Sequence, residues 1–151
     1  MAIRKAMDPR TKFEIIEHGS ESYFAAVRLR DEILVNPAGI MTTAEDVAAE
    51  RDLMHVAGFL DGEVVATCLL VAEAGAVRMK RVAVASSLQG GGIGTRMLRF
   101  CEAHARSIGA STLTAHARET AVRFYLNNGF ATEGDYFEEA GIPHAMVRKQ
   151  L

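Results

Sequence analysis

What the 151-residue chain has little of narrows its function before any motif is considered. It carries only two cysteines, Cys68 and Cys101, far apart in sequence and each in apolar surroundings. That is neither a disulfide framework nor a metal pair, and it reads as two reduced core thiols in a cytoplasmic protein. No apolar run approaches the roughly 18 residues that would span a bilayer. The stretch from Met1 to Pro9 has some basic charge but no apolar h-region, so neither a membrane partner nor a secretory leader is expected. A net charge of −2 provides no global attraction for nucleic acid or anionic lipid. The five histidines, at positions 18, 55, 104, 116 and 144, show no H-x-x-x-H spacing, and no metal is expected. Repeats, low-complexity tracts and linkers are also missing. These absences leave one domain over residues 1–151, with 1–11 as a loose leader and a hydrophobic content of 49% suited to a compact core.

What is there is a run of strands and helices with clear punctuation. Phe13 to Glu17 alternates as a first strand. Ser20 is placed to cap a helix over 21–34 that turns Phe24, Val27 and Leu34 inward, and Asn36-Pro37-Ala38-Gly39 breaks it. Thr42-x-x-Glu45 has the form of a capping box for a short helix to about Arg51. Leu53–Leu60 and Glu63–Glu73 read as strands joined by Asp61-Gly62, a type I′ hairpin signal. Ala74-Gly75 turns into a strand from Ala76 to Ala85. A long helix follows with Ile93, Met97, Phe100, Cys101, His104 and Ile108 on its apolar side and Gly109 as its left-handed cap. Ser111–Ala115 is a short strand reached by a crossover, and hence expected parallel to the one before the helix. A helix from Glu119 to Asn128, capped by Gly129, precedes two last strands near 130–137 and 144–149. The expected fold is α+β: a mixed, mainly antiparallel sheet of six or seven strands between about four helices, an α/β/α sandwich.

Between the β-branched strand and the long helix lies Gln89-Gly90-Gly91-Gly92-Ile93-Gly94-Thr95. A helix start leaves backbone N–H groups without internal partners, and the macrodipole adds partial positive charge there. Glycines remove the Cβ atoms that would hold a bulky anion at a distance. The bland alternative is a flexible loop, but its seat between strand and helix favours a phosphate-binding turn. A Walker A loop needs a lysine that is absent after Gly94, and a G-x-G-x-x-G fingerprint fails at Thr95 or Met97. The pattern that does fit is [R/Q]-x-x-G-x-[G/A], read as Gln89 to Gly94.

That hexapeptide resembles the acyl-CoA pyrophosphate loop of the GNAT N-acetyltransferase superfamily. Downstream, Ala121-Val122-Arg123-Phe124-Tyr125-Leu126-Asn127-Asn128-Gly129-Phe130 is similar to the family's A-x-x-x-Y-x-x-x-G-[F/Y] segment. The stretch from Phe137 to Met146 resembles the closing strands of a subgroup of small bacterial members. The resemblance runs from about Leu53 to the C-terminus. It implies that two central parallel strands splay apart and that acetyl-CoA, the co-substrate, lies in the opening. It further implies that backbone N–H groups around Val82, Ala83 and Val84 face the acetyl and pantetheine groups. The amides of Gly90, Gly91, Gly92, Ile93 and Gly94, with Gln89 and the Thr95 hydroxyl, would hold the pyrophosphate. Tyr125 aligns with the tyrosine that protonates the CoA thiolate; its other reading is a core tyrosine anchoring the last helix.

The general base does not carry over. Many family members place a glutamate near the positions of Met79 and Lys80, and none stands here. His116 and His144 have the chemistry to deprotonate an ammonium, as tentative bases or substrate-shaping residues, with Glu32 and Glu45 as further candidates. Arg118 replaces the family's common asparagine and could approach cofactor or substrate. Arg96 and Arg99 are open between phosphate contact and solvation. The acidic group Glu45, Asp46, Glu50 and Asp52 either attracts a cationic acceptor or forms a solvated helix face. The expected activity is acetyl transfer from acetyl-CoA to a primary amine, on a small molecule or a peptide, by direct attack in a ternary complex. The alternatives are an acyl-CoA-binding module without catalysis and a nucleotide-binding protein. A homodimer is left open.

Overall fold

In the computed structural model, residues 10–34, 39 and 41–151 are described. The strands are β1 (Lys12–Ile16), β2 (Met54–Leu60), β3 (Glu63–Glu73), β4 (Ala76–Val84), β5 (Thr112–Arg118), β6 (Ala131–Glu139) and β7 (Ile142–Gln150). The helices are α1 (Glu21–Ile33), α2 (Ala44–Ala49), α3 (Ile93–Ser107) and α4 (Val122–Asn127). All seven strands form one sheet in the order β1-β2-β3-β4-β5-β7-β6. Every pairing is antiparallel except β4 with β5, where the crossover through α3 makes the strands parallel.

Alternation along the strands builds a layered arrangement. Val56, Cys68 and Leu70 turn to the face covered by α3, where they meet Met97, Leu98 and Cys101. Ala57 turns to the other face and packs with Tyr23 and Ala26 of α1. Turn chemistry sets the registers. Asp61 and Gly62 both take positive φ, 51° and 80°, the geometry a type I′ hairpin requires. α3 ends in a Schellman motif: Ala110 N–H donates to Ala105 C=O and Gly109 N–H to Arg106 C=O. α4 closes the same way at Gly129, with Phe130 N–H donating to Tyr125 C=O.

Two features of β4 position the site. Its parallel pairing with β5 covers only Ala76–Met79 against Thr112–Ala115, four rungs. Beyond them β4 stays with β3 and β5 stays with β7, so the two strands diverge and open a cleft. Within β4 the register against β3 shifts between Thr67 and Leu69, leaving Arg81 and Val82 together opposite Cys68. This is a β-bulge, and Arg81 adopts φ 55° within it.

Several expectations need correction. β1 lies one residue earlier than read, and Thr11, placed in the loose leader, is fully buried. The rest of that leader, residues 1–9, lies outside the described residues, as does most of the Asn36-Pro37-Ala38-Gly39 break. α1 buries Tyr23, Ala26, Leu29 and Arg30, whereas Phe24 is exposed. The rotation follows from polar partners that a hydrophobic pattern does not count. Tyr23 Oη donates to Glu50 Oε1 at 2.9 Å, and Arg30 Nη2 reaches both Glu50 oxygens at 2.8 Å. Glu50 is thus a buried ion-pair partner rather than part of a solvated acidic face. The capping box sits one residue on: Thr43 accepts from Asp46 N–H, and the Asp46 carboxylate accepts from Thr43 N–H. In α3, Ile108 is exposed and Glu102 takes a buried place. β5 extends to Arg118, so His116 lies within the strand, and a 3₁₀ turn over Glu119–Ala121 starts the last helix. The two cysteines, distant in sequence, meet in the core with Sγ atoms 3.5 Å apart.

Candidate active site

The glycine loop is rigid in ways the sequence does not display. Gly90 and Gly92 take φ of +81° and +87°, and a Cβ at Gly90 would meet open space. Their glycine identity therefore answers to backbone conformation. Gly92 is the N-cap of α3 and has no side chain to serve the first-turn amides. Gly94 is constrained by packing: a Cβ there would stand 3.1 and 3.2 Å from two atoms of the Phe124 ring. Buried Ile93 pins the turn to the core. The Gln89 side-chain amide donates to Val84 C=O at 3.0 Å, tying the loop to the end of β4. The first N–H groups of a 15-residue helix are thus presented at a fixed point just past the end of β4. Of the nearby cations, Arg96 stacks over Phe13, whereas Arg99 is held by Glu102 and Asn128.

The cleft between the diverging strands has a volume of about 460 Å³. Met79 to Val82 of β4 and Ala115 to Arg118 of β5 form its walls, and Tyr125, Glu139 and His144 complete it. Of the β4 residues singled out by sequence, Val82 lines the cleft, Ala83 is buried, and Val84 packs beside Gly94. Tyr125 projects from α4 between Phe124 and Phe130, in edge-to-face contact with both. Burial, with smaller contributions from the Cys68 and Cys101 thiols, pushes its phenol well above the ordinary value. The group therefore stays protonated across the working pH range.

One carboxylate and two imidazoles converge in the cleft. His116 Nδ1 lies 3.0 Å from Glu139 Oε1, and His144 Nε2 lies 3.5 Å from Glu139 Oε2. A carboxylate can only accept, so His116 donates from Nδ1 and keeps Nε2 as its acceptor nitrogen. His144 commits Nδ1 to Ile142 C=O at 2.7 Å and is itself buried. Phe137 packs against both imidazoles. Burial alone would lift the Glu139 carboxyl, but the His116 hydrogen bond and the charges of His116, His144 and Lys80 outweigh it. The group is held below the usual carboxylate range. Glu139 was not singled out by sequence reasoning. It lies within the Phe137-to-Met146 stretch, but nothing in the spacing shows that it meets a residue 23 positions earlier.

The other candidates lie elsewhere. Glu32 and Glu45 are exposed on α1 and α2 and line neither this cleft nor the smaller pocket beside it. Arg118 lines the cleft and donates to Leu34 C=O at 3.0 Å. His55 bonds Glu50 C=O, His18 bonds Val47 C=O, and His104 contacts Met54 Sδ; each is structural. Among the described residues, no group of three metal-ligating side chains forms, and no helix is long and apolar enough to cross a membrane.

A glycine turn at the head of α3 and parallel strands that splay apart are the two features that the resemblance to acyl-CoA-dependent acyltransferases leads one to expect. The family comparison agrees: residues 37–151 match the acetyltransferase (GNAT) domain, and the chain belongs to that family. Its fold is the GNAT acyl-CoA N-acyltransferase fold. A candidate N-acetyltransferase from Lactobacillus plantarum superposes with a TM-score of 0.81 at 26% identity, covering 93% of this chain and 98% of that one. A GNAT family acetyltransferase from Elizabethkingia anophelis with acetyl-CoA bound shares the fold at 14% identity, with a TM-score of 0.73 over 95% of this chain and 100% of that one. A 54-residue stretch is 46% identical to the tRNA(Met) cytidine acetyltransferase TmcA of Aeropyrum pernix, covering 35% of this chain. The match spans 8% of that relative's length.

Proposed function

We propose that this protein transfers acetyl from acetyl-CoA to a primary amine by direct attack in a ternary complex. The observation that carries the reading is the His116–Glu139 pair in one cleft with Tyr125, whose neighbour Phe124 abuts Gly94 of the glycine loop. The loop fits the co-substrate, since left-handed Gly90 leaves open space and the amides that open α3 suit a pyrophosphate. When bound, acetyl-CoA supplies an activated thioester to the amine. Every other role falls to this chain. Gln89 to Thr95 hold the diphosphate, and backbone N–H groups near Val82 orient the acetyl carbonyl. Donors aimed at developing negative charge contribute roughly 3–4 kcal/mol in comparable sites.

His116 accepts a proton from the ammonium at Nε2, while Glu139 fixes the ring through Nδ1 and stabilises the imidazolium that forms. This division of labour matches the base-and-orienter logic of catalytic triads. His144 gives its Nδ1 proton to Ile142 C=O, so it supports the other Glu139 oxygen only when Nε2 is protonated as well. Tyr125 donates to the departing sulfur. Its raised pKa makes it a hydrogen-bond donor first, and complete proton transfer requires a thiolate desolvated to a similar degree. A carboxylate–histidine unit offers a substitute for the missing β4 glutamate and favours catalysis over a non-catalytic binding module.

The test is a thermal-shift titration with acetyl-CoA, CoA, ATP and NAD. A ligand at about 100 times its Kd stabilises by about 2.7 kcal/mol, several degrees for a domain of this size. Stabilisation by acetyl-CoA and CoA alone is expected. Stabilisation by ATP or NAD alone, or by none, overturns the reading.

A further inference from the structure

Building on the acetyltransferase reading, we infer that the acceptor amine carries an anionic group, a carboxylate or a phosphate, held by Arg81 and Arg118 at the α1 side of the cleft. Three observations lead there. Arg81 sits at the β4 bulge with φ 55°, a conformation that favours glycine or asparagine, so the arginine stands there against local strain. The bulge places Arg81 where the cleft meets the smaller pocket beside α1 and α2; it lines both. Arg118 comes from the opposite wall, its guanidinium anchored on Leu34 C=O.

The two like charges are close enough to act on each other. Burial and then the Arg81 charge pull the Arg118 guanidinium below its ordinary value. An anion between them would relieve that repulsion and could accept charge-assisted hydrogen bonds from both. The neighbouring charges already have tasks. Lys80 stands by Glu139, Arg78 reaches Glu73 at 3.2 Å, and Glu139 is engaged by two histidines. On the α1 and α2 side, Asp31 accepts from Thr42, and Asp46, whose field Arg81 shares, closes the α2 capping box. An acceptor seated by its anion on the arginines would direct its amine along the cleft toward His116.

The experiment measures kcat/KM, by release of CoA thiol, for matched primary amines: alanine against alaninamide, and O-phosphoethanolamine against ethanolamine. The anionic member of at least one pair should be favoured by about tenfold or more, the scale of one charge-assisted hydrogen bond. Which pair shows the preference tells carboxylate from phosphate. In Arg81→Gln, an exposed site where folding is not at risk, and in Arg118→Lys, that ratio should collapse toward unity. Equal or better use of the neutral amines, or a ratio unchanged in both variants, overturns the proposal. If no amine of the panel is turned over, calorimetry on the CoA complex decides. Binding of alanine or O-phosphoethanolamine that Arg81→Gln abolishes supports the proposal, and no binding of either overturns it. Failure of the acetyltransferase reading itself would show separately, as no stabilisation by acetyl-CoA.

Discussion

His116 on β5 hydrogen-bonds Glu139 at the end of β6 across 3.0 Å, although β7 lies between the two strands in the sheet. The contact forms because the β6–β7 hairpin turns at Ala140-Gly141 just beyond the last paired rung, Glu139 with Ile142. The turn residues take φ of 52° and 75°, and the tight hairpin holds the carboxylate over the end of its neighbour.

His116→Ala should lower the chemical step by about 10²-fold or more, the usual worth of a positioned base. Glu139→Gln keeps the shape and removes the charge that orients the ring. It should lower kcat clearly while leaving KM for acetyl-CoA near that of the parent. Steady-state kinetics separate the two, and a Glu139→Gln enzyme with full kcat would remove Glu139 from the mechanism.

Tyr125→Phe should retain the fold, because the ring contacts with Phe124 and Phe130 survive the loss of the hydroxyl. A loss of roughly 10²-fold in single-turnover acetyl transfer is expected, with little change in acetyl-CoA affinity. Unchanged turnover would reduce Tyr125 to a core residue.

Gly92→Ala and Gly94→Ala should weaken CoA binding for different reasons. The first forces a Cβ into a left-handed conformation at about 1–2 kcal/mol. The second sets a methyl group against the Phe124 ring, displacing α4 and with it Tyr125. Calorimetric titration with CoA, beside a thermal melt of the free protein, distinguishes loop distortion from general destabilisation. CoA affinity unchanged in both variants would dissociate this loop from the cofactor.

Glu102→Gln should destabilise the protein at pH 7 by about 3 kcal/mol, the lower end for breaking a buried ion pair. Glu102, with its side chain 4% exposed, accepts from Lys149 Nζ at 2.9 Å and from Arg99. Burial would raise its pKa, but the Lys149 and Arg99 hydrogen bonds and charges win and lower it. A depressed carboxylate stabilises above its unfolded value and loses that contribution as pH falls through the folded one. The difference between parent and variant in urea midpoint should therefore shrink below about pH 4.3, the ordinary glutamate value. A difference that persists in acid would assign the effect to packing.

Much of the sheet was legible in the residues. Asp61-Gly62 fixed one hairpin, Gly109 and Gly129 marked both helix ends, and the glycine loop announced the head of α3, since each is a local backbone demand. The inward face of α1 was not legible, because Tyr23 and Arg30 are buried by a carboxylate 20 or more residues away. Glu139, the carboxylate proposed to orient His116, escaped for the same reason. The histidine proposed as base, His116, was among the candidates the residues offered; what spacing hid is its carboxylate partner, which the β6–β7 hairpin brings to it. Local chemistry is written in spacing, whereas a pair assembled by sheet order is visible only once the order is known.

The four-rung join between β4 and β5 leaves two facing strand edges, residues 80–84 and 116–118, whose ladder to each other is incomplete. An extended ligand arm bearing amide groups would act there as a missing strand, adding the rungs that the polypeptide omits. Cofactor binding would then be a step in completing the sheet. Amide hydrogens along both edges should exchange more slowly in the loaded protein than in the free one, fusing two half-sheets into one mechanical unit.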